Sequence, residues 1–458
     1  PVRPELVSRP HLVERLNEGF RRGCKLTLVS APAGYGKTTL LSEWALHCEP
    51  LMRVAWISLD EGDNDPVRFW AHVVAALQAV RADIAEIAYA TFQSPHSPPI
   101  ESALAGLLNQ IADVPDPSVL VLDDYHVVSA PAIHDALSFL LENLPPQVHL
   151  VIATRADPPL PIPRWRGRGQ LTELYQSDLR FTSKEAAELL NQVMGLGLSA
   201  EDVTALEKRT EGWIAGLQMA AVSMQGRDDI AEFVRAFTGS HRYILDYLGE
   251  EVLRRQPEGV QRFLLQTAIL DRLTGPLCDA VVGIDESADL QADEPPVRLF
   301  AGSQDTLEYL ERNNLFVVPL DDERRWYRYH HLFADFLRQR LHHEERDLLP
   351  ELHRRASKWY EEHRLTAQAV SHALAAGDLE RAACLVEWVA WWVLARGEMT
   401  TLLGWLDTLP GELVRSRPQL GILRVWALAF TGRFDDAESG LSNVGVRHVQ
   451  GEAAAVRA

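Results

Sequence analysis

The sequence predicts a multidomain protein, α/β with a parallel sheet in its first third and mainly helical afterwards. Three observations predict it. The chain has 458 residues, more than one ordinary core accommodates, since single cores stop growing at about 250–300 residues. Up to about residue 178, short β-rich runs alternate with stretches of helical spacing, the pattern of right-handed strand–helix–strand crossovers. From Ser183 onward, helical patterns follow one another with little interruption.

The expected strands are "LTLVS" (Leu26–Ser30), "RVAWISL" (Arg53–Leu59), "VLVLD" (Val119–Asp123), "VHLVIAT" (Val148–Thr154) and "QLTELY" (Gln170–Tyr175). Three of these runs are apolar throughout, as strands covered on both faces require. Helices are expected over Lys37–Cys48 and Pro66–Val80. Later, "LFVVPL" (Leu315–Leu320) and "RWYRY" (Arg325–Tyr329) flank the turn-like "DDER", predicting a β-hairpin after several helices, the pattern of a winged helix. Near the end, "ALAAGDLERAACL" (Ala373–Leu385) resembles "ALAFTGRFDDAESGL" (Ala427–Leu441). Each reads as helix end, glycine turn, helix start, as tetratricopeptide-type repeats give, although Gly377 and Gly432 lie further apart than one repeat of about 34 residues.

Composition narrows the function classes. With 47% hydrophobic and 24% charged residues the chain is globular, and its net charge of -19 argues against nucleic-acid binding or attraction to an anionic membrane. The cysteines Cys24, Cys48, Cys278 and Cys384 show no C-x-x-C spacing and read as buried apolar residues of a reducing compartment. No signal peptide is visible, and Leu385–Ala395 is too short to span a bilayer, so a soluble cytoplasmic protein is expected. The chain starts with Pro1 and ends in "GEAAAVRA", which reads as part of something longer.

The stretch Ala31-Pro-Ala-Gly-Tyr-Gly-Lys-Thr-Thr39 lies between the first strand and the first long helix. It fits the phosphate-loop pattern G-x-x-x-x-G-K-[ST] except at its first position, where alanine stands. Such a loop wraps N–H groups around a β-phosphate and adds a lysine for the β/γ oxygens and a hydroxyl for Mg²⁺. Here Gly34, Tyr35 and Gly36 form the loop, Lys37 supplies charge, Thr38 is the metal hydroxyl and Thr39 is placed for the α-phosphate. A carboxylate is also needed at the end of a neighbouring strand. "SVLVLDDYH" (Ser118–His126) supplies Asp123, to hold Mg²⁺ through water, and Asp124, to orient or deprotonate the attacking water. A third strand end, "VIATR", brings Thr154 and Arg155 to where a γ-phosphate is sensed.

Together these strand-end motifs resemble the signal-transduction ATPases with numerous domains (STAND). More narrowly, the chain resembles the ATP-dependent transcriptional activators of the maltose-regulon type, whose DNA-binding module is a LuxR-like helix-turn-helix at the far C-terminus. The resemblance also rests on "LVSRPHLVERL" (Leu6–Leu16), "RTEGWIAGLQMAA" (Arg209–Ala221) and "RWYRYHHLFADFLRQRL" (Arg325–Leu341). It implies a P-loop NTPase domain over 1–178, a helical domain over 179–245, a winged helix over 246–345 and the start of tetratricopeptide-like sensor repeats over 346–458. It implies ATP/ADP and Mg²⁺ as cofactors, and an N-terminal segment that holds the adenine through Val7 and Arg9. A helical-domain Gly-x-Pro motif that packs on the nucleotide corresponds here to Gly212-Trp-Ile-Ala-Gly216, without the proline. A winged-helix histidine that reaches the β-phosphate of ADP falls on His330 or His331. Adjacent helical residues point about 100° apart, so one of the pair serves, and His331 is favoured.

The expected function is a slow ATPase used as a switch, with an unknown effector at the repeats and self-association in the ATP state. No helix-turn-helix with a basic face follows Gly432, so direct DNA binding is not expected of this stretch. A AAA+-like remodeller, for whose arginine finger Arg155 is the only candidate although it reads as a sensor, and a scaffold with structural nucleotide are the alternatives. The aromatics Trp359, Tyr360, Trp388, Trp391, Trp392, Trp405 and Trp426 read mainly as repeat core, with a sensor surface as the alternative; Trp391 and Trp392 cannot both face one core, so one of them is expected at such a surface. The acidic stretch Gly283–Pro296 reads as an exposed insertion.

Overall fold

A computed structural model describes residues 6–47, 53–80, 100–113, 116–225, 229–283, 300, 302–395 and 399–443. The chain divides into two compact units. The first comprises Pro1–Arg255, Glu308–Val318 and Tyr329–Phe336, and the second Gln256–Leu307, Pro319–Arg328 and Leu337–Ala458. The division does not follow chain order, because two short pieces of the expected winged helix belong to the first unit.

In the first unit, β1 (Leu26–Ser30), β2 (Arg53–Ser58), β3 (Ser118–Asp123), β4 (Val148–Thr154) and β5 (Leu171–Tyr175) form one sheet in the order β2-β3-β4-β1-β5. Every pairing is parallel. β1 and β4 are buried at every position, and β3 everywhere except Ser118, whereas the edge strands β2 and β5 are only partly covered. The continuous apolar runs thus lie centrally, where both faces are packed. The helix α1 (Pro10–Arg21), α2 (Lys37–His47) and α3 (Pro66–Val80) join further helices around the sheet, and Phe69, Trp70, Leu104, Leu107, Leu137 and Trp165 belong to its core. Trp165 sits on a short helix, Ile162–Gly167.

One expectation needs correcting. The strand carrying Asp123 is not next to the phosphate-loop strand, since β4 lies between them. Crossover order has no local sequence signature. The consequence is functional: the end of β4, Thr154 and Arg155, falls between the loop and the carboxylates.

In the second unit, helix Gly275–Val282 is capped by Thr274, whose side chain accepts from Leu277 N–H, and ends at Gly283 in the left-handed region. The expected hairpin forms from β6 (Val317–Pro319) and β7 (Tyr327–Tyr329), of which Val317, Val318 and Tyr329 are counted with the first unit. Leu273 adds an antiparallel bridge to Tyr327. The "DDER" turn closes because the Asp321 carboxylate accepts from Arg325 N–H at 2.8 Å and Trp326 N–H at 3.1 Å. The region from Leu349 onward is largely helical. Its two glycine turns are alike: Gly377 and Gly432 have positive φ, and the next N–H reaches back to Ala373 and Leu428 carbonyls respectively, the closure of a Schellman motif. Arg364 makes a third such turn, with Leu365 N–H on Tyr360 O, invisible in the sequence because no glycine marks it.

Trp405 and Tyr360 are core, but Trp388, Trp391 and Trp392 are exposed, a correction to the repeat-core reading. They sit at i, i+3, i+4 on the outer face of helix Leu379–Ala395, whose inner face is Ala382, Ala383, Val386 and Ala390. Cys24 and Cys278 are buried, while Cys384 is exposed; Cys48 and nearly all of the acidic stretch, from residue 284, lie outside the described residues. No described helix is long and apolar enough to cross a membrane.

Candidate functional site

The site grows from the end of β1. Ala31 is buried, and its N–H donates to Thr154 O at 3.2 Å, so a small side chain suits this position. Gly34 and Gly36 take φ of 79° and 76°, a region L-residues avoid, which lets the backbone curl back before α2 begins at Lys37. Inside the curl, Lys37 Nζ donates to Ala31 O at 2.7 Å and Pro32 O at 3.0 Å. Burial, then the nearby Arg155 charge, pushes the Lys37 amine down to about 8. Thr38 and Thr39 are exposed at the start of the helix.

Thr38 Oγ1 donates to Asp123 Oδ1 at 3.2 Å, so the two groups expected to flank Mg²⁺ meet in space. Burial raises the Asp123 carboxyl, opposed by the Thr38 hydrogen bond. This hydroxyl–carboxylate pair fits a hard cation that keeps waters and shares phosphate oxygens. Asp124, at φ 57°, follows in the left-handed region, and its side chain is part exposed beside His126, whose Nδ1 lies 3.7 Å from Asp124 Oδ1. Burial, then Arg155, pulls His126 down to about 4, so its ring is neutral at ordinary pH. Arg155 is anchored by Glu251, 3.4 Å away, which also pairs with Arg255 at 2.9 Å. The Thr154 hydroxyl is locked onto its own loop, donating to Ala156 O at 2.6 Å.

The segment Gly212–Gly216 docks on the loop. Trp213 Nε1 donates to Ala33 O and Ala215 N–H to Gly34 O, both at 3.0 Å. A Cβ on Gly34 would come within 2.5 Å of Ala215 Cβ and 2.8 Å of Trp213 Nε1. Gly34→Ala therefore combines backbone strain with a clash, and an expected loss of about 2–4 kcal/mol is checked by urea unfolding followed through tryptophan fluorescence.

Other expected residues lie differently. Tyr35 is fully buried with its hydroxyl accepting from Gln176 Nε2 at 2.7 Å, so its ring faces the protein interior. Val7 is buried. Arg9 is 5% exposed, and its guanidinium is committed to protein: Glu185 at 2.8 Å, Leu179 O and Arg180 O at 2.9 Å, with Phe181 beneath. It clamps the N-terminal segment to the start of the helical part, and its charge is already used. His331, favoured from sequence, is 64% exposed. His330 is 0% exposed, ringed by Trp213 and Phe316 at 6.1 and 5.6 Å between centroids. Its Nε2 donates to Thr210 O at 2.8 Å, while its Nδ1 is buried without a hydrogen-bond partner among the described residues. Burial pushes its pKa down to about 4.

Sequence reasoning missed Phe316, a bulky residue at φ 57° whose ring touches Tyr35, Trp213, His330 and Phe333. It missed Glu211 as well, although that residue stood inside the motif Arg209–Ala221.

The phosphate loop, the carboxylate strand end and the parallel sheet together define a P-loop ATPase. A family model described as an AAA domain matches residues 4–130, and one described as the MalT winged helix domain matches residues 249–349. The HTH-type transcriptional regulator MalT of Klebsiella pneumoniae is 34% identical over 442 residues, 96% of this chain and 47% of that protein. The serine/threonine-protein kinase PknK of Mycobacterium tuberculosis is 35% identical over 426 residues, 92% of this chain and 36% of that protein. The chain is MalT-like and carries a P-loop ATPase domain, and it spans less than half the length of these relatives. Among solved structures, the Walker-type ATPase of Pyrococcus abyssi aligns at 14% identity with a TM-score of 0.48, over 74% of this chain and 97% of that one.

Proposed function

We propose that this chain is a nucleotide-dependent signal-transduction switch that holds ADP in a resting form and hydrolyses ATP slowly. The observation that carries the reading is His330, buried beside the tryptophan that docks on the phosphate loop, with one ring nitrogen unpartnered. A buried nitrogen in that state is disfavoured; the negative charge of a bound phosphate favours protonation of the ring, and the Nδ1–H so formed donates to a phosphate oxygen. His330, not His331, takes the β-phosphate role in this proposal.

The loop N–H groups from Gly34 to Thr39 and the Lys37 amine cradle the polyphosphate. When bound through Thr38 and, by way of water, Asp123, Mg²⁺ neutralises charge between the phosphates. Asp124 accepts the proton of the attacking water, and Arg155 sits against the developing γ-phosphate charge. Val7 lies on the adenine side, and Arg9 keeps that segment in place through Glu185. An effector at the helical C-terminal region, tetratricopeptide-like in this reading, shifts the balance toward ATP and self-association. The four-part division at 178, 245 and 345 belongs to this proposal, as does a role in the regulatory part of a LuxR-type transcriptional regulator, supported by the MalT relatives. The net charge of -19 supports a stretch that does not itself bind DNA.

The test is to denature the purified protein and identify released nucleotide by chromatography. Near-stoichiometric ADP is expected, and His330→Ala should raise the ADP dissociation rate about 10- to 100-fold, the worth of one charge-assisted hydrogen bond, with His331→Ala nearly neutral. An empty site with fast steady-state turnover would instead favour a AAA+-like remodeller, and the switch reading would be given up.

A further inference from the structure

Glu211 is locally disfavoured in two ways. It follows helix Ala200–Thr210 in the left-handed region, at φ 50°, a conformation that suits glycine or asparagine. It also places a carboxylate at a helix C-terminus, where the helix dipole favours cations. Its side chain is only 7% exposed, so solvent does not explain its presence.

Its partners do. Glu211 Oε1 accepts from the His331 N–H at 3.0 Å and lies 3.1 Å from His331 Nδ1, while Arg180 Nη2 is 3.7 Å from Oε2. His331 is the first residue of helix His331–Glu344, so its N–H has no acceptor within that helix. Glu211 therefore caps this helix from 120 residues away. The preceding residue, Thr210, takes the His330 ring through its carbonyl and also accepts from Trp213 N–H at 2.9 Å. Trp213 in turn holds Ala33 of the phosphate loop. Two consecutive residues thus grip two consecutive histidines, and the same corner docks on the loop.

We propose that Glu211 is a positioning residue, the latch that fixes the rotation of His330 and the start of its helix toward the phosphate loop. The proposal rests on the resting-switch reading. Without the carboxylate, the start of helix His331–Glu344 loses its cap, directly beside the ring that Thr210 O holds.

The test uses Glu211→Gly, which tolerates φ 50° and removes the carboxylate with the rest of the side chain, and Glu211→Gln, which keeps an acceptor for the His331 N–H. The probe is a fluorescent ADP analogue on the whole chain. E211G should speed its dissociation about tenfold, the factor that 1.4 kcal/mol represents, with E211Q closer to the parent. The thermal midpoint without nucleotide should hold, and steady-state ATP turnover should rise with the release rate. A merely structural role lowers turnover and midpoint together and overturns the proposal. Should E211G fail to fold, Glu211→Asn replaces it, since asparagine tolerates the same backbone and its shorter side chain falls short of His331. Unchanged release in E211G, with fast release in His330→Ala, refutes the latch alone. Unchanged release in both refutes the switch reading beneath it.

Discussion

Lys37→Ala is expected to weaken binding of Mg-ATP about 100- to 1,000-fold, measured by calorimetry or a fluorescent analogue. The amine rests on the Ala31 and Pro32 carbonyls, buried and close to Arg155. An incoming polyphosphate replaces two neutral acceptors by charged ones, each worth about 1.5–3 kcal/mol. The amine's pKa of about 8, against 10.5 for the free group, gives the pH dependence a definite sign. Below about 8 the lysine is already charged and affinity should be flat. Above it, binding must first take up a proton, so affinity should fall toward tenfold per pH unit, and Lys37→Ala should lack that slope. Folding stability measured without nucleotide behaves oppositely. Between about 8 and 10.5 the unfolded chain binds more protons, so stability should rise with pH across that window. An alanine variant binding within threefold of the parent would remove Lys37 from the site.

Asp124→Asn is expected to lower the hydrolysis rate about 100- to 10,000-fold, the usual contribution of a general base, while ATP affinity stays within a few-fold. Asparagine keeps the shape and tolerates the φ of 57° that this residue adopts, so backbone strain does not confuse the result. Phosphate release gives the rate and analogue titration gives the affinity. His126, neutral beside Asp124, does not take over as base near pH 7, because an imidazole with so low a pKa accepts a proton poorly. A variant that hydrolyses at the parent rate would leave Asp124 without a chemical role.

The residues legible in the sequence are those the chain places side by side. The phosphate loop is one contiguous string whose turns need glycine, and it folds as read, with Lys37 leading into α2. Asp123 was found because a buried parallel strand is an unbroken apolar run and its first polar residue marks the strand end. That its hydroxyl partner would be Thr38 followed from the loop pattern. Arg9 shows the opposite case. A family resemblance gave it to the adenine, whereas in the fold Glu185 and three carbonyls consume its guanidinium. Nothing near Arg9 in the chain announces partners that arrive from beyond β5.

By itself, then, the sequence determined the five sheet strands, the phosphate loop, the hairpin with its Asp321 turn and the glycine-closed helix ends, because each is decided by sterics and hydrogen bonds among near neighbours. Tertiary structure alone decided that β4 stands between loop and carboxylates, that Trp213 covers the loop and that Glu211 caps a distant helix. It also decided which of two adjacent histidines is buried. His330 turns inward because β7 ends at Tyr329 and a helix starts at His331, and which way that junction faces is set by packing against Trp213, Phe316 and Thr210, residues no local pattern brings together.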